Sequence, residues 1–129
     1  MSRHNVDVVR RAFASDAPLT DTEQLARDAE FDFTALYPDQ PVLHGVEEMR
    51  TFRDAGPWGE SIRFVADRFF DVDDERVLVF VRWTASGERS GATVEIKMAH
   101  EFTFRDGLIV RVKVHPDRAD ALRAVGLAQ

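Results

Sequence analysis

His100 is the residue of this chain whose type and position best suit acid–base chemistry. It lies in the alternating stretch 96–104, where its face is shared by Met98, Phe102 and Phe104. This apolar company predicts that the His100 side chain points into the interior. An imidazole titrates near neutral pH, so it can give or take a proton without a large pKa shift. The alternative is a buried structural histidine, bonded to a backbone carbonyl or a core hydroxyl.

Arg82 and Trp83 are the next candidates, and only one of them can face the interior. The stretch 77–84 is apolar on both faces, so the alternation leaves the choice open. Trp83 would form a flat apolar wall, whereas Arg82 could pair with an anionic group of a ligand. Arg82 could equally extend along the surface and place its charge in solvent.

Four further polar residues complete the candidates: Asp32, His44, His115 and Asp117. His115 and Asp117 could supply two metal ligands, but a third ligand would have to come from elsewhere, so no metal site is predicted. We expect Asp117 to cap a helix and His115 to lie on a solvated face with Arg111 and Lys113. His44 adjoins a turn glycine and is expected at the surface.

The composition excludes several classes of function. There are no cysteines, which excludes disulfides, thiolate zinc sites and cysteine nucleophiles. The 17 basic and 23 acidic residues give a net charge of −6, which argues against a nucleic-acid partner. The sequence has no phosphate-binding glycine loop, no dinucleotide fingerprint, no serine-nucleophile elbow and no H-E-x-x-H motif.

The length of 129 residues is typical of a single domain. No apolar stretch has the length of a transmembrane helix. Residues 1–5 are not followed by the apolar run that a signal peptide requires. We therefore expect a cytoplasmic protein without a membrane partner.

Three helices are predicted in the first half of the chain. The first is predicted because Val6, Val9 and Phe13 recur at helical spacing, and Asn5 can cap it. A second, short helix is predicted where Thr20 and Glu23 stand in capping-box spacing ahead of Leu25 and Ala26. The third follows Gly45 and ends near Gly56.

From residue 60 onward the period changes to two, which predicts four long antiparallel strands: 61–72, 76–85, 93–105 and 108–115. The last two are joined by the hairpin dipeptide Asp106-Gly107, and a shorter strand is predicted over 30–34. Helices followed by consecutive strands indicate an α+β fold. We expect a strongly bent antiparallel sheet, with the three N-terminal helices on its concave face enclosing a pocket and a short helix at the C-terminal end.

Four stretches resemble SnoaL-like proteins of the nuclear-transport-factor-2-like (NTF2-like) superfamily: 5–13, 41–52, 100–111 and 117–122. They follow the same order as in that family and reach over nearly the whole chain, so the resemblance implies a single SnoaL-like domain over 1–129. It also implies a conical pocket, a homodimer formed through the outer face of the sheet, and no cofactor. It does not name a reaction, because this fold hosts isomerases, cyclases, hydrolases, dehydratases and plain binding modules.

The catalytic acids of related enzymes are not kept in this chain. In the ketosteroid isomerases and limonene-epoxide hydrolases of the superfamily, the position that matches His100 carries an acidic residue. The position of the isomerase general base falls on Phe33, and that of a second hydrolase aspartate falls on Val114. Ala12 stands where the isomerases have a tyrosine. A pocket with His100 and no opposing carboxylate is poorly equipped for enolisation.

The sequence therefore predicts a protein that binds an apolar small molecule, cyclic or polyketide-like. The expected pocket wall consists of Phe13, Phe31, Phe33, Met49, Phe52, Trp83, Phe102, Val112 and Val114. If the protein is an enzyme, we expect a cofactor-free isomerase, cyclase or hydrolase in which His100 donates or accepts a proton. The alternative is a non-catalytic ligand-binding or dimerisation module in which His100 is structural.

Overall fold

The computed structural model describes residues 3–14, 23–36, 38–39, 41–55, 63–86 and 93–127. Within these ranges the elements follow in the order α1 (Arg3–Ala14), β1 (Leu25–Asp32), β2 (Leu43–His44), α2 (Val46–Ala55), β3 (Arg63–Asp71), β4 (Arg76–Ser86), β5 (Thr93–Arg105), β6 (Leu108–His115) and α3 (Arg118–Ala124). The predicted α+β class and the four long strands are confirmed. None of the helices in these ranges is both long and apolar enough to cross a membrane.

The strands form one sheet in the order β2-β1-β6-β5-β4-β3. Four of the neighbouring pairs are antiparallel, whereas β1 and β6 run parallel, so the sheet is mixed rather than wholly antiparallel. β5 and β6 are joined by the predicted hairpin turn. Asp106 has φ 54° and Gly107 has φ 80°, and such a pair of positive angles is what a type I′ turn requires.

Two local predictions near the N-terminus were wrong. Helix α1 begins at Arg3, so Asn5 is inside the helix instead of capping it. Asn5 is buried, and its side-chain amide donates to the carbonyl oxygen of Asp74 at 3.0 Å. The polar side chain thus joins α1 to the turn between β3 and β4, a distant contact that the local cap pattern does not reveal.

The predicted short helix at Leu25 and Ala26 is replaced by the beginning of β1, while Thr20 lies outside the described residues. Leu25 lies opposite Ile109 of β6, and the Ile109 amide donates to the carbonyl of Gln24 at 2.7 Å. Pairing with a distant strand therefore prevails over the local capping signal, as tertiary context often does. β1 consequently starts five residues before the predicted strand over 30–34.

The sheet has two faces, and each face packs on different helices. The inner face, as we call it, packs on α1 and α2 and holds the main core, including Phe31, Phe102 and Val114. The outer face packs on α3, where Leu78 and Ala99 contact Ala121 in a smaller buried cluster. Successive strand residues alternate between these faces.

Arg118 fixes α3 to the outer face. Its Nε donates to the carbonyl of Met98 at 3.2 Å, and its Nη2 donates to the carbonyl of Val81 at 3.2 Å. The guanidinium also lies 4.8 Å from the centroid of the Phe80 ring. One side chain from the first turn of α3 thereby connects the helix to both β4 and β5.

Asp67 extends this connection to the edge strand β3. The register of β3 shifts between Ala66 and Arg68, which leaves Asp67 as the extra residue of a bulge. Its carboxylate accepts from Arg118 Nη2 and from Arg82 Nε, both at 2.7 Å. Burial alone would raise the pKa of Asp67, but the hydrogen bonds from these two arginines outweigh it and hold the pKa below its usual range.

His115 is buried on the outer face, contrary to the prediction that it lies on a solvated face. It is 7% exposed, and its Nε2 is 2.9 Å from Oε1 of Glu101. The shared face with Lys113 was correct, but an acidic partner on the neighbouring strand allows the imidazole to be buried. The hydrogen bond with His115 is the largest of the effects that hold the pKa of Glu101 below its ordinary value.

We expect Glu101→Gln to lower the free energy of unfolding at neutral pH by about 1 kcal/mol. Because the folded pKa of Glu101 lies below 4.5, the carboxylate stabilises the fold above that pH. This contribution is lost as the pH falls through the folded value. Urea unfolding from neutral pH to about pH 3 measures it. Glu95→Gln, on the same strand and exposed, is the control, and identical pH profiles for the two variants would contradict the expectation.

Candidate ligand site around His100

His100 lies on the inner face of β5, between Val79 of β4 and Val114 of β6. The residue is 8% exposed, in agreement with the interior position that its apolar neighbours indicate. Its Nε2 is fully buried and has no hydrogen-bond partner among the described residues. Buried polar atoms are nearly always paired, so an unpaired ring nitrogen at this depth marks a position where a partner is needed.

Three phenylalanine rings contact the imidazole, each from a different element. The ring centroids of Phe13 in α1, Phe64 in β3 and Phe102 in β5 lie 6.5, 5.8 and 6.2 Å from that of His100. Phe13 also meets the rings of Phe102 and Phe69 edge-on, at 6.0 and 6.2 Å. The surroundings of the imidazole are therefore aromatic and of low polarity.

Burial in these surroundings, together with the smaller effect of the charge of His115 on the neighbouring strand, lowers the pKa of His100 to about 4. At neutral pH the His100 side chain is therefore an uncharged imidazole with one N–H group and one lone pair. In this form it can accept a proton, or it can donate a hydrogen bond to a ligand or accept one from it. It cannot serve as an imidazolium acid at neutral pH.

All nine residues of the predicted wall belong to the main core cluster. Phe31, Phe102, Val112 and Val114 are fully buried in it. The other five are partly buried and pack against it: Phe13, Phe33, Met49, Phe52 and Trp83. The rings of Phe33 and Phe52 stack at 5.7 Å with an angle of 17° between their planes, which joins the residue after β1 to α2. The apolar side chains expected around a ligand thus converge on the inner face.

The structure resolves the choice between Arg82 and Trp83. Trp83 lies on the inner face, where it packs against the main core. Arg82 lies on the outer face and donates to Asp67 at 2.7 Å, so its charge is paired with a carboxylate of the protein. An inward arginine for an anionic ligand is therefore absent at this position.

Phe64 was not singled out from the sequence, although it is the ring nearest to His100 among the three. It lies opposite Trp83 in the register of β3 and β4 and is 48% exposed. An aromatic residue at the start of a long strand is a weak signal by itself. Its proximity to His100 depends on the pairing of three strands, which alternation within one strand does not fix.

The remaining polar candidates lie away from His100. Asp32 is buried on the outer face, and the hydrogen bond from the Thr34 hydroxyl, at 2.6 Å, is the main cause of its lowered pKa. His44 is exposed and lies 3.8 Å from Glu30. Asp117 is a helix cap as predicted, since its carboxylate accepts from the Asp120 amide at 2.8 Å. No group of three metal-ligating side chains occurs in the described part of the chain.

Comparison with solved structures identifies the fold. TerC co-crystallised with polyporic acid is 19% identical, with a TM-score of 0.72, and the match covers 95% of this chain and 98% of that chain. A SnoaL-like candidate polyketide cyclase from Jannaschia sp. CCS1 is 20% identical, with a TM-score of 0.67 and coverage of 98% and 94%. A protein with a ketosteroid-isomerase-like fold from Catenulispora acidiphila DSM 44928, in complex with trimethylamine, is 14% identical, with a TM-score of 0.64 and coverage of 94% and 93%. At these identities the likeness establishes the fold alone.

The sequence comparison identifies the family. No curated protein matches the chain. The sequence model of the SnoaL-like domain family matches residues 1–112, which is most of the 129 residues. The matched part contains α1, α2, the strands β1 to β5 and the first part of β6. NTF2-like proteins are also among the similar structures. The chain therefore belongs to the SnoaL-like domain family and has the NTF2-like fold.

Proposed function

We propose that this protein binds an apolar small molecule against the inner face of the sheet, with His100 as its polar contact. The observation that carries the proposal is the buried Nε2 without a partner among the described residues. An unpaired buried polar group costs about 1–3 kcal/mol. A ligand hydroxyl or carbonyl beside Nε2 would supply the missing hydrogen bond, while the surrounding rings of Phe13 and Phe102 would contact its apolar part.

If the bound molecule reacts, neutral His100 is suited to accept a proton from it. The proton would pass from an acidic O–H group of the ligand to the free ring nitrogen, leaving a negative charge on that oxygen. The resulting imidazolium is stabilised by that charge, because opposite charges attract strongly in surroundings of low polarity. Such a step needs no cofactor and fits the isomerase or cyclase types. TerC with polyporic acid supports the uptake of a small organic molecule by this fold.

A non-catalytic module with a structural His100 is the second candidate. The close packing of Phe13, Phe64 and Phe102 around the imidazole favours it. The unpaired Nε2 argues against it, because a structural histidine is expected to have a hydrogen-bond partner. The single domain over 1–129, the homodimer and the cytoplasmic location remain predictions from the resemblance and the sequence.

Native mass spectrometry of the protein as purified from its expression host tests the proposal. We expect a retained small molecule of defined mass in the wild type and its loss, or a much lower occupancy, in His100→Ala. His44→Ala, which removes an exposed histidine, should retain the molecule. A bound molecule held equally by both variants would exclude His100 as its contact. A wild type that is empty, and stays empty when ring-bearing alcohols are added, would refute the binding function.

A further inference from the structure

The inner face becomes exposed beyond His100, at the far end of β3, β4 and β5. Phe64 lies opposite Trp83, and Trp83 lies opposite Ile96. Phe64 is 48% exposed, Ile96 is 40% exposed and Val94 is 41% exposed, while Met98, between Ile96 and His100 on the same face, is 3% exposed. We call Phe64, Trp83, Val94 and Ile96 the apolar strip. It extends from solvent toward the buried imidazole, with which Phe64 is in ring contact.

The charged residues at this end of the three strands lie on the opposite face. Arg63 and Val65 flank Phe64 and therefore point outward, and Arg82 flanks Trp83 in the same way. On β5, Glu95 and Lys97 alternate with the residues of the strip. Within the described residues, the strip itself carries no charge. A charged ligand crossing it would lose hydration without compensation, whereas a neutral apolar ligand would not.

Phe64 connects the strip to His100. Its ring is half exposed on one side, and its centroid lies 5.8 Å from that of His100 on the other. It belongs to β3, which is the edge strand of the sheet formed by the described residues. Partly exposed side chains change rotamer on a fast timescale, so this ring can move without unfolding the sheet.

We infer that Phe64 is a specificity-determining residue at the entrance to the site, which admits a neutral ring-bearing molecule with one hydrogen-bonding group. The ring of the ligand passes between Phe64 and Ile96, and its polar group reaches the unpaired Nε2 of His100. This inference rests on the proposed function, because it requires a ligand beside His100. Beyond the proposed function, the inference specifies where the ligand enters, that the ligand is uncharged, and that Phe64 is the residue that selects the ligand.

The test uses three probes of one shape: 2-naphthol, naphthalene without a hydroxyl, and 2-naphthoate, which is charged at neutral pH. Binding is followed by tryptophan fluorescence and dissociation by stopped flow. We expect the wild type to bind 2-naphthol about fivefold more tightly than naphthalene, because of one added hydrogen bond, and 2-naphthoate at least about tenfold more weakly than 2-naphthol. His100→Leu should bind 2-naphthol and naphthalene equally.

The matched pair Phe64→Ala and Val65→Ala isolates the entrance, because the two residues are adjacent, both exposed, and on opposite faces. Phe64→Ala should release 2-naphthol about tenfold faster, and Val65→Ala should behave as the wild type does. If both variants release the probe at the wild-type rate, the entrance at Phe64 is refuted while the binding function stands. Equal affinity for 2-naphthoate and 2-naphthol would refute the selection of neutral ligands. If the wild type binds none of the probes, both the function and the inference fail.

Discussion

His100→Leu should leave the ligand-free protein as stable as the wild type, or raise its free energy of unfolding by about 1 kcal/mol. The imidazole nitrogen is buried without a partner among the described residues, so its desolvation is an uncompensated cost. Leucine has a similar volume and fits among Phe13, Phe64 and Phe102 without a polar atom. Sites built for ligands commonly show this trade of stability for binding.

His115→Leu is the matched control for this substitution. Both histidines are less than a tenth exposed and lie on neighbouring strands. His115 is bonded to Glu101, whereas Nε2 of His100 has no partner in the part of the chain that the structure describes. Removing His115 leaves the partly buried carboxylate of Glu101 with a weaker set of partners, at a cost of about 2 kcal/mol. Urea unfolding of the three proteins makes the comparison. A loss of 1–3 kcal/mol in His100→Leu would mean that Nε2 has a protein partner and that His100 is structural.

The pH dependence of the free energy of unfolding gives a second comparison between the wild type and His100→Leu. The folded pKa of His100, about 4, lies below its ordinary value of 6.5, so between these values the unfolded chain binds more protons than the folded one. Protonation of this residue in the unfolded chain therefore costs no stability above about pH 6.5, and the free energy of unfolding falls as the pH decreases from 6.5 toward 4. His100→Leu should remove this part of the acid sensitivity. The part that Glu101 and Asp67 cause should persist at lower pH.

Arg118→Met should lower the free energy of unfolding by about 2–3 kcal/mol. The substitution keeps an apolar stem over Phe80 but removes the donors to Met98, Val81 and Asp67. Two strand carbonyls and a partly buried carboxylate then lose their partner together. Chemical denaturation measures the loss, and a lower Tm should accompany it.

Arg123→Met is the control, because Arg123 belongs to the same helix and also pairs with an aspartate, Asp120. Its side chain is 61% exposed, and exposed pairs contribute about 0–1 kcal/mol. The two arginine variants should therefore differ by about 2 kcal/mol. Equal losses would show that Arg118 does not connect α3 to the sheet. In the double variant Arg118→Met, Asp67→Asn, the effects should be less than additive, since both changes break the same contact.

Alternation along single strands predicted which side chains share the inner face of the sheet. It placed His100 on the same face as Phe102 and Phe104, and the structure has all three buried on that face. It also gave the four long strands and the Asp106-Gly107 turn, because these features depend on neighbours in sequence. The nine residues expected as the pocket wall, named from the same pattern and the family resemblance, all lie in or against the main core, and their contact with a ligand stays a prediction.

Contacts between distant residues account for what the sequence did not reveal. Leu25 is in a strand because Ile109 pairs with it, and Asn5 is inside a helix because Asp74 accepts its amide hydrogen. His115 is buried because Glu101 lies on the adjacent strand. The position of Phe64 beside His100 depends in the same way on the register across β3, β4 and β5.

The parallel pairing of β1 with β6 has a consequence for the order in which the chain can fold as it leaves the ribosome. β1 is synthesised early, yet its neighbour Val112 opposite Phe31 comes from the last strand. Until β6 emerges, Phe31 lacks the strand that completes its surroundings, and one edge of β1 stays open. Contacts of such long sequence separation slow folding and expose the nascent strand to aggregation. Completion of the sheet around β1 must therefore wait for nearly the whole described chain.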